Sequence, residues 1–343
     1  MTERLGASYP ILQTGMGWVA TPELVAGACN AGAFGFLAAA TIPPKDVEQA
    51  ILEVQHLTDR PFGVNFLMDA PGADIISESI IRHNVRAAGY NRAPNADLIR
   101  RLKENGVVCV PTCGAVHHAV KAEQLGADII IVQGSEGGGH TGNVPTSLLA
   151  SAAADAVDVP IVAAGGFRDG RGLVAALAFG AEGVAMGTRF LMTQESPVPN
   201  STLERYDAAK MPDIIVSRAL DGMPQRMIVN ELTRRLEGSG PIRKLAMAVQ
   251  NALALRRETG ASVSELLISA VAMRRNQKLT NAQTILAANA PILARIAMSE
   301  GDPVHGYLPS GTVAGLLDDR PTCEELVARI IEEALETLKK LSP

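Results

Sequence analysis

A histidine at the end of a glycine-rich loop is the residue of this chain best suited to do chemistry. His140 follows three consecutive glycines in the run 132–142, directly after the apolar stretch 127–132. An apolar run that leads into glycines predicts a buried parallel strand and then a loop whose backbone can approach a ligand closely. Because histidine exchanges a proton near neutral pH, His140 is a candidate acid or base. The alternative is that the glycines form only a turn and that His140 faces water.

Two further strand-and-glycine loops predict a phosphate site. The stretch 160–166 ends in a pair of glycines, and 183–188 ends in glycine and threonine. Between them, 169–180 has the pattern of a helix start, an apolar helix and a glycine stop. In an eight-stranded parallel barrel, the loops after the last two strands commonly hold a phosphate through backbone amides and a helix N-terminus.

The rest of the chain supports such a barrel. Eight strand patterns occur in order, at 9–16, 34–39, 62–67, 85–89, 107–112, 127–133, 161–165 and 183–186. Helical patterns lie between them, for example at 44–57, 95–105 and 116–125. Repeated strand–helix alternation favours parallel strands with helices outside. An open doubly wound sheet would need a third glycine after Gly15-Met16-Gly17, which is absent. We therefore predict an α/β fold, a (β/α)8 barrel with a C-terminal helical extension.

Length and composition limit the organisation. With 343 residues and 47% hydrophobic content, one barrel plus an appendage fits better than two equal domains. We expect the barrel over residues 1–200. A helical cap near its mouth is expected over 201–306, and a C-terminal segment and helix that pack back on the barrel over 307–343.

Several classes of function are disfavoured by composition. No apolar run is long enough to span a bilayer and no signal-like segment opens the chain, so we expect a cytoplasmic protein without membrane contact. An acidic chain with 3% aromatic residues is a poor candidate for nucleic-acid binding. The four cysteines fit neither a disulfide framework nor a metal site, and we expect buried thiols and no metal.

Positive charge is concentrated in one block. Residues 201–300 hold 14 Lys and Arg against 9 Asp and Glu, in a chain whose net charge is −5. Solvated helix faces would explain each pair of basic residues separately. The block follows the last strand and can fold over the barrel mouth, so we also consider an anion-binding role for a phosphate-bearing small molecule.

Five motifs carry a resemblance to a known family. In chain order they are Pro10-Ile11-Leu12-Gln13-Thr14-Gly15-Met16-Gly17-Trp18, Phe62-Gly63-Val64-Asn65, the loop 133–142, the stretch 164–172 and Met186-Gly187-Thr188-Arg189-Phe190. As a set they resemble the motifs of the nitronate monooxygenase family, formerly called 2-nitropropane dioxygenase. That family comprises FMN-dependent barrels.

The resemblance implies FMN as cofactor and assigns residues to it. The FMN phosphate is expected at Gly165, Gly166, Gly187 and Thr188. The flavin ring and its ribityl chain are expected near Gly15, Met16, Asn65, Gln133, Gly138 and Met186. His140 is expected to be the catalytic acid or base, and Glu136 either orients His140 or faces water.

Within the family, the motifs favour a reductase. Bacterial nitronate monooxygenases carry Asp-Gly-Phe-Glu where this chain has Gln133-Gly134-Ser135-Glu136. The segment 136–140 instead resembles the loop of flavin-dependent enoyl-thioester reductases. The whole chain, including 220–226 and the basic block, resembles the indene-carboxyl-CoA reductases of bacterial steroid ring C/D degradation.

The predicted reaction is the NAD(P)H-dependent reduction of an enoyl-CoA double bond. The arginines expected to bind the phosphates of the coenzyme A (CoA) thioester are Arg226, Arg234, Arg235, Arg274 and Arg275, since guanidinium groups suit phosphate geometry. Two alternatives stay open: oxidation of alkyl nitronates with O₂, and a flavin-free barrel that binds a phosphorylated metabolite. A homodimer is left open as the assembly.

Overall fold

The computed structural model describes residues 1–91, 94–240 and 289–342. Eight parallel strands form a closed barrel in chain order, each hydrogen-bonded to the next and the last to the first. They are β1 (Ile11–Gln13), β2 (Phe34–Ala38), β3 (Gly63–Phe66), β4 (Ala87–Asn91), β5 (Val108–Cys113), β6 (Ile130–Gln133), β8 (Ile161–Ala164) and β9 (Gly183–Met186). The predicted barrel is confirmed, and each strand lies within or beside the segment predicted for it.

Helices alternate with the barrel strands. In the first part of the chain they are α1 (Thr2–Leu5), α2 (Pro22–Asn30), α3 (Val47–Leu57), α4 (Ala73–Arg82), α5 (Ala96–Glu104), α6 (Val116–Gln124), α7 (Thr146–Ala154), α8 (Gly170–Ala178) and α9 (Thr188–Leu191). Their buried aliphatic side chains form the layer between helices and strands. No helix within the described ranges is both long and apolar enough to cross a membrane.

Aromatic and aliphatic side chains fill the barrel interior. Phe34 and Phe36 pack edge to face with their ring centroids 5.1 Å apart. A Cβ atom on Gly63 would stand 2.4 Å from the Phe36 ring, so a glycine is required at that point of β3. The barrel is therefore a packed core rather than a pore, and a ligand can bind only at an open end of the barrel.

The described part of residues 201–306 contains strands as well as helices. The sequence predicted a helical cap there. β10 (Ile214–Ser217) and β11 (Gln225–Ile228) form an antiparallel hairpin, and β11 also pairs with the short strand β7 (Gly139–His140). The apolar run in β10 and the Asp221-Gly222 turn signal account for the hairpin. The remaining helices are α10 (Asn200–Ala208), α11 (Glu231–Glu237), α12 (Asn289–Met298) and α13 (Cys323–Leu341).

The C-terminal helix packs on the barrel's outer layer. Thr322 and Glu325 form a capping box at the start of α13, which packs against α8 and α2. Gly170, the first residue of α8, permits this close approach, because a Cβ atom there would lie 2.3 Å from the Ala334 backbone nitrogen. The C-terminal helix α13 thus holds α8, the helix that follows the β8 loop, from the outer side of the barrel.

The four cysteines are free and buried, as predicted. Burial raises the pKa of the Cys29, Cys109 and Cys113 thiols to about 12. Protonated, inaccessible thiols are poor nucleophiles and poor metal ligands. Within the described part of the chain, no cluster of three or more His, Cys, Asp or Glu side chains is placed to hold a metal ion.

Candidate active site

A cavity of about 360 Å³ opens at the carboxyl ends of the barrel strands. Its wall contains every residue that the sequence analysis assigned to the cofactor or to catalysis: Gly15, Met16, Asn65, Gln133, Gly138, Gly165, Gly166, Met186, Gly187, Thr188, His140 and Glu136. These residues come from the ends of different strands. Parallel strands in a closed barrel bring those ends to one face.

Glycines leave one corner of the cavity free of side chains. Gly165 and Gly166 follow β8 with φ angles of +103° and +84°, in the left-handed region that favours glycine. A Cβ atom on Gly165 would lie 2.9 Å from the Gly137 backbone nitrogen, and one on Gly187 would lie 3.1 Å from Thr14 Oγ1. Backbone exposed in this way is suited to an anion such as a phosphate. We call Gly165, Gly166 and Gly187 the glycine cradle.

The C-terminal segment closes the cavity beside the cradle. The Gly311 amide donates to Thr188 Oγ1 at 2.9 Å, and the Thr312 amide donates to the Glu136 carbonyl at 3.0 Å. Gly311 and Val313 line the cavity. The sequence analysis missed this contribution. The proline-serine-glycine run before Thr312 predicts a turn, but not the loops that the turn contacts.

His140 is positioned by strand pairing. Its strand β7 lies beside β11, with Gln225 opposite His140. His140 Nε2 lies 2.8 Å from Asp221 Oδ2, and the accessible fractions of the two side chains are 46% and 3%. An ionised carboxylate can only accept, so a neutral imidazole in this contact carries its proton on Nε2 and has a lone pair on Nδ1. The pair therefore has the arrangement of an oriented general base.

Asp221 is itself held by its own turn. Its Oδ1 accepts a hydrogen bond from the Met223 amide at 2.9 Å, and its Oδ2 accepts one from the Gln225 side-chain amide. Gln225 is fully buried. The sequence analysis included Asp221 in a motif but gave it no role. An acidic residue followed by glycine in a turn between two short strands is the signal that could have identified it.

Glu136 has a different position from the one expected for a partner of His140. Its carboxylate accepts hydrogen bonds from the Thr146 amide at 2.9 Å and from the Thr146 hydroxyl at 2.7 Å, at the start of α7. The Ser135 hydroxyl donates to the same oxygen. In the described structure, Asp221 rather than Glu136 supplies the carboxylate in contact with His140. Glu136 joins the histidine loop to α7.

Two amide side chains complete the polar lining. The Gln133 amide donates to the carbonyls of Gly138 and His140, at 3.3 and 2.9 Å, and so stiffens the histidine loop. Asn91 lines the cavity, and its buried Oδ1 has no hydrogen-bond partner among the described residues. A buried acceptor of this kind is costly unless a ligand or water satisfies it.

Arg226 lies beside the site, on β11. Its Nε donates to the Ser135 carbonyl at 2.9 Å. Burial lowers the pKa of Arg226 from its ordinary value, and the nearby Glu136 carboxylate opposes that shift. The guanidinium group is thus fixed against the loop that carries both Glu136 and His140.

The other arginines expected to bind substrate are farther from the cavity or not described. Arg234 and Arg235 are exposed near the end of α11 and do not belong to the described cavity lining. Arg274 and Arg275 lie outside the described residues. Any contact that Arg234 and Arg235 make with a ligand would involve a part of it that extends beyond the cavity.

Comparison with known proteins agrees with the fold. The profile of the nitronate monooxygenase family matches residues 1–91 and 78–333. The fold and these matches define an oxidoreductase built on a (β/α)8 barrel. The chain belongs to the nitronate monooxygenase family.

Particular relatives are similar over the whole chain. A protein of Rhodococcus jostii (strain RHA1) is 50% identical over 99% of this chain and 97% of its own length, and is named (3aS,4S,5R,7aS)-5-hydroxy-7a-methyl-1-oxo-octahydro-1H-indene-4-carboxyl-CoA dehydrogenase. A protein of the same name from Mycobacterium tuberculosis (strain ATCC 25618 / H37Rv) is 45% identical over 100% of this chain and 97% of its own length. FabK from Thermotoga maritima, a solved structure, has a TM-score of 0.81 at 32% identity, covering 99% of this chain and 97% of FabK.

Proposed function

We propose that this oxidoreductase uses FMN to transfer hydrogen across the carbon–carbon bond next to the carbonyl of a CoA thioester. The observation that carries the proposal is the His140–Asp221 pair, which lies at the same cavity as the glycine cradle. The two bacterial relatives named for an indene-carboxyl-CoA substrate support the substrate class.

The cavity residues fit FMN. The glycine cradle provides bare backbone for the phosphate, at the loops where barrels of this kind commonly bind one. Asn91 Oδ1 offers an unsatisfied acceptor to an N–H group of the flavin ring. When bound, FMN would supply the hydride chemistry that no amino-acid side chain provides.

His140 is proposed to transfer the proton. A thioester carbonyl acidifies the hydrogens on its adjacent carbon, and Nδ1 of His140 has the free lone pair to accept one of them. Loss of a hydride from the next carbon, for which bound FMN would be the acceptor, would then give the enoyl thioester. Asp221 stabilises the imidazolium that His140 becomes, because it remains hydrogen-bonded to Nε2.

The same residues serve either direction of the reaction. The sequence analysis predicts reduction of an enoyl-CoA by NAD(P)H, whereas the names of the two relatives specify dehydrogenation. In the reducing direction, protonated His140 returns its proton to the carbon beside the carbonyl. We propose a nicotinamide as the second redox partner: NAD(P)H is consumed in reduction, and NAD(P)⁺ is reduced in dehydrogenation.

Arginines outside the cavity are proposed to bind the CoA phosphates. Arg226 borders the site, while Arg234 and Arg235 lie exposed on the element that follows β11. Reversing the charge of Arg234 and Arg235, or of Arg274 and Arg275, should raise KM for a CoA thioester more strongly at low salt than at high salt. Activity with a small electron acceptor should not change. If neither reversal changes thioester kinetics, these arginines do not bind the substrate.

Purified enzyme tested anaerobically distinguishes the candidate functions. Flavin absorbance in the protein supports the cofactor, and its bleaching by NADH or NADPH identifies the electron donor. Reoxidation by an enoyl-CoA, or formation of a conjugated enoyl thioester from the saturated one with NAD(P)⁺, supports the proposal. Oxidation at a ring hydroxyl would give an unconjugated ketone. That product would contradict the proposal that the reaction takes place at the carbon–carbon bond next to the thioester carbonyl. Activity with an alkyl nitronate after O₂ is admitted, without thioester turnover, would support nitronate oxidation instead.

A further inference from the structure

Trp18 has a backbone conformation that is unusual for a large side chain. Its φ angle is +66°, and Asn84 is the other non-glycine residue with positive φ in the described ranges. In the left-handed region the Cβ atom of a bulky residue is crowded, and glycine would adopt the same conformation at lower energy. A tryptophan in such a conformation indicates that its side chain has a role there.

The neighbours of Trp18 show what this conformation achieves. Met16, Gly17 and Val19 line the active-site cavity, whereas Trp18 is not among the described residues that do. The amides of Val19 and Ala20 both donate to the Met16 carbonyl, which closes a tight turn around Trp18. The turn therefore presents its neighbours to the cavity and directs the tryptophan side chain away from it.

The indole contacts a distant part of the chain. Trp18 Nε1 donates to the Pro291 carbonyl in α12 at 3.0 Å. On the barrel side, the Trp18 amide donates to Thr41 Oγ1 at 3.2 Å. Trp18 thus joins a cavity-lining turn of the barrel to α12, which comes after Arg274 and Arg275 in the sequence.

We propose that Trp18 is a positioning residue that anchors α12 to the cavity-lining turn and so determines how a large substrate is bound. It touches no reacting atom in this assignment. Losing the anchor should weaken binding of the thioester while the chemistry at His140 continues. The kinetic part of this inference rests on the proposed CoA thioester substrate, and the structural part does not.

Trp18→Phe tests the anchor, because phenylalanine keeps an aromatic ring and removes the N–H donor. We expect KM for the thioester to rise about three- to tenfold, which is the usual effect of one neutral hydrogen bond. The kcat and the flavin content should stay near those of the wild type. Hydrogen exchange of the α12 amides should accelerate, with no change in α8.

Thr41 offers a matched second test. Thr41→Val removes the acceptor of the Trp18 amide and should also raise KM, while Thr41→Ser keeps the hydroxyl and should behave as the wild type. Trp18 is the sole tryptophan of the chain, so its emission reports on the anchor directly and should change when the thioester is added to the holoenzyme.

The outcomes separate this inference from the proposed function. If the α12 amides of Trp18→Phe exchange hydrogen at the wild-type rate, Trp18 does not anchor this helix. Faster exchange with an unchanged KM would overturn its role in substrate binding. The wild type could also fail to turn over any thioester while amide exchange in α12 is faster in Trp18→Phe. That result would support the anchor and contradict only the CoA substrate.

Discussion

Asp221 Oδ2 lies 2.8 Å from His140 Nε2, although 81 positions separate the two residues in the chain. One side chain is accessible from the cavity and the other is almost completely buried. The contact depends on the pairing of β7 with β11, which places Gln225 opposite His140 and Asp221 just before it. The orientation of the imidazole is therefore set from outside the barrel.

Asp221→Asn should lower kcat by about 10²–10⁴, the usual contribution of one acid–base group, while flavin stays bound. The asparagine amide can present an N–H to Nε2 and so favour the wrong tautomer of His140. Stopped-flow measurement of flavin reduction or reoxidation checks this. The control is Asp213→Asn, directly before β10, where the carboxylate accepts a hydrogen bond from the Lys210 backbone amide. Wild-type turnover in Asp221→Asn would show that His140 works without this carboxylate.

His140→Ala should slow turnover by a similar factor of about 10²–10⁴ and leave FMN bound. Because the two residues act as a unit, adding Asp221→Asn to His140→Ala should cause little further loss. Steady-state rates of the wild type, both single variants and the double variant complete the cycle. Multiplicative losses would mean that Asp221 acts on a group other than His140.

Substitutions in the glycine cradle should abolish flavin binding. Gly165→Val should yield colourless protein, because the added Cβ atom would meet the Gly137 backbone at 2.9 Å in a backbone region that valine rarely adopts. Gly166→Val should also lose flavin, since its side chain would fill space needed by the phosphate. Absorbance per mole of folded protein is the measurement. Gly114→Ala, with nothing within 4 Å of the added atom, is the control. Full flavin content in both valine variants would place the phosphate elsewhere.

Glu136→Gln should affect stability more than chemistry. The change weakens charge-assisted hydrogen bonds to Thr146, so we expect a loss of about 1–2 kcal/mol in the free energy of unfolding. Thr146→Val should be similarly destabilising, and the double variant should lose less than the two losses combined. Denaturant titration checks this. A shift in the pH profile of kcat would show that Glu136 is coupled to His140 after all.

Asp169 should make stability depend on pH at the acidic end. Burial alone would raise the pKa of this carboxyl, but Arg171 and the Gly172 amide lower it below its ordinary value. A carboxyl whose pKa is lower in the folded state stabilises the fold above its unfolded value of about 4. That stabilisation is lost as the pH falls through the folded value.

Asp169→Asn isolates this charge, because asparagine caps a helix about as well as aspartate. The variant should keep the start of α8 and lose part of the pH dependence below about pH 4. Asp169→Ala should instead cost about 0.5–2 kcal/mol at neutral pH, the usual effect of removing an N-cap. Thermal unfolding across this pH range is the measurement. An identical acid profile in Asp169→Asn and the wild type would contradict the assignment.

The sequence by itself determined the barrel and the residues that meet at its mouth. Apolar runs that end in glycines predict parallel strands with exposed loop backbone, and closure brings all eight carboxyl ends to one face. Gly165, Gly187 and His140 could therefore be assigned to one site without coordinates. Each of these assignments depends on a local pattern combined with the symmetry of the fold.

Only the tertiary structure decided which partners these residues have. The contacts between Asp221 and His140, Gly311 and Thr188, and Trp18 and Pro291 join residues far apart in the chain. A strand as short as β7 has no periodicity to reveal its pairing with β11. Glu136 and Asp221 are both carboxylates near a glycine, and composition cannot distinguish them. Their different roles follow from hydrogen bonds that form only when distant segments pack together.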